Sequence, residues 1–333
     1  MAKQKDTQYL YLSARLQVLE ASMLTRQRAE RLLEARTRAD EARILEECGL
    51  RGAESLSSAE LEETVARRQS EAFAGAAAEA PDRRIVDAFR VKYDCHNLKV
   101  LVKCEASGTD PLQPGLMSRC GTVSPEELKK GFFSGDMPDL RPELSEAVRA
   151  ARETLAKTND ARLSDSVLDA ACFKAMLALS QEAECPFLTD YVRAQIDGAN
   201  LRTAVRCRRL ERDEAFLRRM LLEGGTVPAE AVIAAARDGK LQEAFGRTEF
   251  AAAAAAGDGL DEDTPVTEME RLCDDAGTKS LASAALEGFG PRVLVLYLAA
   301  AERESMTLRL ILTGKASGVP TQTIRERMRE LVV

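Results

Sequence analysis

Tryptophan is absent from this chain of 333 residues, histidine occurs once, and aromatic residues make up only 5%. A single histidine, His96, excludes a His-Glu-x-x-His zinc helix and a two-histidine facial triad. Ala, Leu, Arg and Glu dominate instead, and no segment keeps a sustained period-two alternation, so no sheet is expected. Positive charge is also in deficit. The 47 Lys and Arg stand against 54 Asp and Glu, a net charge of −7 that argues against general nucleic-acid binding. Long apolar runs are missing: Val293 to Ala301, bounded by Arg292 and Glu302, is about half of the ~20 residues a spanning helix needs. The start, Met1-Ala2-Lys3-Gln4-Lys5-Asp6, has no apolar segment behind it, so no secretory leader is expected. The eight Cys lack framework spacing, and free thiols in a reducing compartment are the expectation.

Catalytic signatures are equally scarce. Gly314-Lys315 resembles the end of a phosphate-binding loop, but Arg309 stands where its first Gly belongs and Ala316 where Ser or Thr belongs. The acids Asp258, Asp261, Glu262 and Asp263 lack the alternating ligand order of a calcium loop and read as a solvated acidic loop. Cys95, His96 and Cys104 sit close together, but Cys104 has a counterpart, Cys207, at an equivalent place on an apolar helix. A buried structural role follows for these thiols. No Gly-x-Ser-x-Gly elbow is present. Neither a catalytic residue, a metal nor a cofactor is expected.

What the chain does have is internal repetition. Asp94-Cys95-His96-Asn97-Leu98-Lys99-Val100-Leu101-Val102-Lys103-Cys104 returns as Asp197-Gly198-Ala199-Asn200-Leu201-Arg202-Thr203-Ala204-Val205-Arg206-Cys207. A weaker copy, Glu304-Ser305-Met306-Thr307-Leu308-Arg309-Leu310-Ile311-Leu312, keeps the acid and the Leu-basic pair but has Thr307 in place of Asn. Gly121-Thr122-Val123-Ser124-Pro125, Gly225-Thr226-Val227-Pro228 and Gly318-Val319-Pro320 follow the three copies. The period is roughly 105 residues, far beyond the about 20–50 of a solenoid repeat, and predicts three whole helical subdomains. Their expected bounds are 1–120, 121–224 and 225–333.

Local signals place helices throughout. Leu12, Leu16, Leu19 and Met23 form an apolar stripe within Thr7 to Cys48, read as one long helix or two. Ser57-Ser58-Ala59-Glu60 starts another, and the Ala-rich stretch Ala72 to Ala80, with Gly75 and Pro81, reads as a loop or a helix end. Asp82 opens the helix of the first repeat core, and a Pro- and Gly-bearing connector follows from Ser107 to Gly121. Ser124 caps a helix with Pro125 at its first position, a charged helix runs from Pro142 to Lys157, and Ser164-Asp165 caps the next. The second core helix starts at Pro186 and runs on to Leu222. The third starts at Arg292, and a last helix covers Thr321 to Leu331.

The most suggestive surface feature is basic. Arg202, Arg206, Arg208, Arg209 and Arg212 cluster on one helix, with Glu211, Asp213 and Glu214 nearby to balance them. One reading is a docking surface for acidic groups of a protein partner, since Arg offers bidentate contacts. Three similar units put Lys99 and Lys103, Arg202 and Arg206, and Arg309 at corresponding places around a pseudo-threefold axis, as in a collar or funnel. The other reading is pairing with neighbouring acids. The partner-docking candidates are therefore Lys99, Lys103, Arg202, Arg206, Arg208, Arg209 and Arg309.

Several stretches carry a family resemblance. Tyr9-Leu10-Tyr11-Leu12-Ser13-Ala14-Arg15-Leu16-Gln17-Val18-Leu19-Glu20-Ala21 resembles the opening of the C subunits of prokaryotic V/A-type rotary ATPases, the counterparts of the vacuolar d subunit. So do Asp94 to Gly108, and the ending from Ala301-Glu302-Arg303-Glu304 through Leu308-Arg309-Leu310-Ile311-Leu312-Thr313-Gly314-Lys315 to Ile324-Arg325-Glu326-Arg327. Thr307 and the connector Pro111–Arg119 depart from the family pattern. The resemblance implies an all-α fold of three related helical subdomains forming a funnel. It implies a non-catalytic subunit at the cytoplasmic face of a membrane, with the central-stalk subunits and the membrane rotor ring as partners. The alternatives are a free-standing helical scaffold and an enzyme using the Cys95 thiol beside His96. The latter requires a reactive, low-pKa cysteine.

Overall fold

A computed structural model of the chain describes residues 6–260, 264–279, 281 and 286–332. Sixteen α-helices lie within the described residues, and no strand is found among them. In chain order they are α1 (Leu10–Glu20), α2 (Arg26–Glu34), α3 (Arg38–Glu47), α4 (Ser58–Glu79), α5 (Arg83–Ser107), α6 (Pro125–Ser134), α7 (Pro142–Thr158) and α8 (Ala161–Glu182). They continue with α9 (Pro186–Arg209), α10 (Glu214–Met220), α11 (Ala229–Asp238), α12 (Leu241–Phe245), α13 (Ala251–Asp258), α14 (Thr267–Lys279), α15 (Pro291–Ala316) and α16 (Thr321–Arg327). The all-α class expected from composition holds. The helices form two units, Met1–Val86 with Leu281–Val333, and Asp87–Ser280.

In the first unit, the single long helix or pair expected between Thr7 and Cys48 is three α-helices. Thr25 and Thr37 interrupt it: each is extended, and each hydroxyl accepts a backbone N–H of the helix that follows. Ser57 and Glu60 close a reciprocal capping box on α4. The Ala-rich stretch belongs to α4 up to Glu79, because Gly75 is a modest helix cost that flanking alanines offset. Leu61, Val65, Gln69, Phe73 and Ala76 give α4 its buried stripe. The core gathers Leu24, Leu32, Leu33, Leu45, Leu61 and Val65 from the first helices with Leu308, Ile311 and Ile324 from the last two. Lys315 explains the false phosphate-loop signal: its ammonium donates to the carbonyls of Leu32 and Ala35, the otherwise orphaned end of α2, and pairs with Glu41.

In the second unit, Ser124 caps α6 with Pro125 at its first position, as expected. Ser164 is not a cap. Asp160 begins α8, while Ser164 is buried one turn inside and donates to the Ala151 carbonyl of the neighbouring α7. The second core helix also ends earlier than the sequence predicts. It stops at Arg209, Glu211 has a positive φ, and Asp213 caps a separate short α10. In the first unit, α16 stops at Arg327, short of Leu331. Leu201, Val205, Val232, Leu241, Phe245, Phe250 and Met269 belong to one apolar cluster of the second unit. Asp258 is no solvated acid. It accepts the first backbone N–H groups of α12, from Leu241 and Gln242, and pairs with Arg208. The rest of the expected acidic loop, residues 261–263, lies outside the described residues.

Candidate partner-docking residues on the repeated core helices

The three repeat copies lie on α5, α9 and α15, and each buries its acid. On α5, Asp94 accepts the backbone N–H of Thr122 at 3.0 Å and of Val123 at 3.2 Å, and the Thr122 hydroxyl at 2.6 Å. One turn on, the Asn97 amide donates to the Ser118 carbonyl at 2.8 Å and accepts the Ser118 N–H at 2.7 Å. The second copy repeats this bond for bond. Asp197 accepts the N–H of Thr226 and of Val227, both at 3.1 Å, and the Thr226 hydroxyl. Asn200 donates to the Leu222 carbonyl and accepts its N–H, both at 2.8 Å. Each pair is a bracket that clamps the following connector, a run of turns and bends, onto the core helix. Gly121 and Gly225 complete it, because a Cβ at either position would overlap the Asp94 or Asp197 carboxylate oxygen. Burial raises the pKa of both aspartates, and the hydrogen bonds they accept oppose that shift.

The third copy is closed differently. Glu304 accepts the Leu24 N–H at 2.8 Å, so the bracket comes from the segment between α1 and α2. Gly318-Val319-Pro320 does something else: Gly318 has φ +68°, and the Val319 N–H bonds the Gly314 carbonyl to end α15. In place of threonine donors, Arg68 of α4 donates to both Glu304 oxygens at 3.1 and 3.2 Å. The same guanidinium donates to the Cys48 carbonyl. Burial raises the Glu304 pKa, and Arg68 opposes that rise. Thr307 is buried but has no such connector to clamp. The chain ahead of Leu24 is the end of helix α1, whose backbone bonds are made within the helix, as from Ala21 to Gln17. An Asn-type clamp has nothing to hold there.

The candidate basic residues are nearly all taken up inside the chain. On α5, Lys99 pairs with Asp169 and Lys103 with Asp165, both on α8. On α9, Arg202 pairs with Asp274 at 3.0 Å and Arg206 with Glu270, both on α14. Arg208 pairs with Asp258, and Arg209 is half-buried with an interaction of its own. Arg309 differs: it is exposed and makes no ion pair or side-chain hydrogen bond among the described residues. The sequence reading missed the acids of these ladders. Their signal was present, since Asp165 and Asp169, and Glu270 and Asp274, repeat the four-residue spacing of the basic pairs.

The thiols are structural. All eight cysteines are free and buried. The Cys95 thiol donates to the Leu168 carbonyl at 3.4 Å, and the neighbouring Cys172 thiol together with burial holds its pKa well above the ordinary thiol range. That is the opposite of an activated nucleophile. His96 is turned away from it, with Nε2 2.9 Å from the Leu116 carbonyl. Among the described residues no three His, Cys, Asp or Glu side chains are placed to hold a metal ion. A cavity of about 240 Å³ in the first unit is walled by Leu16, Met23, Ala72 and Tyr297, with the bracket pair Arg68 and Glu304 among its lining.

Long helices, clamped by buried polar brackets and tied by charged ladders, define an all-helical protein with internally repeated core helices. The chain belongs to the ATP synthase (C/AC39) subunit family, whose profile matches residues 12–327. It is 26% identical over 277 residues to the C subunit of the V-type sodium ATPase of Enterococcus hirae, covering 82% of this chain and 83% of that one. It is 24% identical over 255 residues to the C subunit of the V-type ATP synthase of Thermus thermophilus, covering 74% of each chain.

Proposed function

We propose that this chain is a non-catalytic central-rotor subunit of a V/A-type ATPase, the socket that couples the central stalk to the membrane rotor ring. The family match over residues 12–327 carries this reading. The relatives' names place them in a sodium ATPase and an ATP synthase, and the same kind of complex is the setting proposed here. No helix among the described residues is long and apolar enough to cross a membrane, and the proposed contact with the ring is peripheral, at the cytoplasmic face.

The physical role fits the site. Transmitting torque demands a body that does not shear. The brackets at Asp94, Asp197 and Glu304 fix each core helix to a connector or to a neighbouring segment by bonds that a sliding helix would have to break. Three related helical subdomains, drawn from the sequence at 1–120, 121–224 and 225–333, are the proposed organisation. The last core helix shares a core with the first helices of the chain. Among the basic candidates, the residues already paired act as internal struts.

The test is purification of the tagged chain from its native membranes in mild detergent, with mass-spectrometric identification of what accompanies it. Stalk and ring subunits in fixed ratio are the expected result. Recovery of the chain alone, with ATPase present in the same membranes, refutes the rotor role and leaves a free-standing helical scaffold.

A further inference from the structure

The internal repeat shows what chemistry belongs beside Arg309. Position for position along the core helices, Glu304, Thr307, Leu308 and Arg309 match Asp94, Asn97, Leu98 and Lys99, and Asp197, Asn200, Leu201 and Arg202. In the two earlier copies the basic residue receives one carboxylate, Asp169 on α8 or Asp274 on α14, from the helix packed beside it. The helix most extensively packed on α15 is α4. Its buried positions Leu61, Val65, Gln69, Phe73 and Ala76 repeat the spacing of Ser164, Leu168, Cys172, Met176 and Leu179 on α8. In that register Ala66 falls where α8 carries Asp169. The acid is missing, and Arg309 stays exposed without a partner among the described residues.

A second feature adjoins it. Met306, one turn before Arg309, is 61% exposed. The corresponding His96 is engaged by the connector through Leu116. At Thr313, where the other copies have Lys103 and Arg206, the second cation is gone as well. A lone guanidinium beside an apolar side chain suits one carboxylate presented on a packed helix. A phosphate group would call for several converging donors.

We infer that Arg309, flanked by Met306, is a docking point for a carboxylate on a helix of another protein in the assembled ATPase. That protein's acid takes the place that Asp169 and Asp274 hold within the chain. This rests on the rotor reading above. Ala66→Asp supplies the missing acid internally and so competes with the partner, while Arg309→Glu repels it and Arg309→Lys preserves the charge.

The experiment is recovery of stalk and ring subunits with the tagged full-length chain from native membranes, quantified against wild type, with melting of each purified variant followed by circular dichroism. Arg309→Glu is expected to lower recovery about tenfold, and Arg309→Lys to keep most of it. Ala66→Asp is expected to lower recovery without lowering the melting temperature. Wild-type recovery by a folded Arg309→Glu chain overturns the inference while leaving the rotor reading intact. Undiminished recovery by Ala66→Asp overturns it too, and decides the matter should Arg309→Glu misfold. Absence of ATPase subunits from the wild-type preparation instead removes the rotor reading, and the docking point with it.

Discussion

The Asp197 bracket yields a prediction whose sign changes with background. Asp197 is 1% exposed and receives three donors: the Val227 N–H, the Thr226 N–H and the Thr226 hydroxyl. Val227 is buried, so Asp197→Ala leaves its N–H unsatisfied, at about 1–3 kcal/mol. Thr226 is exposed, so its groups turn to water and only net hydrogen-bond energy is lost, roughly 0.5–1.5 kcal/mol each. Removing a buried carboxylate, whose raised pKa shows that burial outweighs its hydrogen bonds, returns part of that. The sum is about 2–4 kcal/mol of destabilisation.

Gly225→Ala alone is expected to cost a similar amount, because its Cβ displaces the carboxylate from the same donors. In the Asp197→Ala background that obstacle is gone. Ile196 Cγ2, at 3.2 Å, is then the closest remaining neighbour and gives by a few tenths of an ångström. Gly225 has no positive φ, so the alanine then acts through the unfolded chain and stabilises by about 0.4–1 kcal/mol. Urea unfolding of the four proteins, followed at 222 nm and by a fluorescent label on the second unit, measures the cycle. Additive costs, with Gly225→Ala equally harmful in both backgrounds, refute the claim that this glycine exists to admit the carboxylate.

Three further outcomes are expected. Arg68→Leu strands Glu304 in the core with only the Leu24 N–H, and should cost about 3–5 kcal/mol, read as a lowered urea midpoint with an unchanged slope. Glu304 has a raised pKa, so the native state binds its proton more tightly than the unfolded chain. Its contribution is therefore fullest below the ordinary carboxylate pKa of 4.5 and declines as pH rises through the raised native value. Glu304→Gln should flatten that part of the stability–pH curve, and an unaltered curve speaks against it. Mild alkylation at pH 8 should leave Cys95, Cys48 and Cys273 unlabelled in the native protein and label them in urea. The latter two thiols are pushed up to about 11 by burial.

Composition and pattern made the helical class legible, because an apolar stripe at helical spacing needs only local sequence to be recognised. The brackets were half legible. The recurring Asp, Asn and Gly-Thr-Val were visible as a repeat, but that the aspartate holds the threonine and valine N–H groups requires a contact across about thirty residues, which spacing cannot display. Element ends were the least legible. Ser164 carries the residue type of a cap and still sits inside α8, since Asp160 four residues earlier takes the capping role and the buried hydroxyl finds the Ala151 carbonyl. The basic cluster on α9 left partner docking and pairing with neighbouring acids both open, because its acids, Glu270 and Asp274, lie on a helix more than sixty residues away.

The divergence of the third copy follows from what comes after its core helix. In the first two copies a connector of turns and bends follows, so an aspartate reaches the Thr-Val amides and the glycine makes room. Behind α15, Gly318-Val319-Pro320 is spent on ending the helix and leads straight into α16, and the bracket comes from a segment about 280 residues away. That segment has Ser22, Met23 and Leu24 where the others have Gly, Thr and Val, and so it lacks both the hydroxyl donor and the open space. Three changes compensate together: a longer acid, Glu304, reaches across; Arg68 supplies the missing donors; and Thr307 replaces an asparagine with no connector left to hold. The same closure binds α15 to the first helices of the chain in one unit. Loss of the Arg68–Glu304 pair should therefore loosen α15 together with α1 and α2, while the Asp94 and Asp197 brackets stay intact. Hydrogen exchange on Arg68→Leu reads this directly. Accelerated exchange confined to residues 10–34 and 291–316 is the expected pattern, and uniform acceleration through α5 and α9 contradicts it.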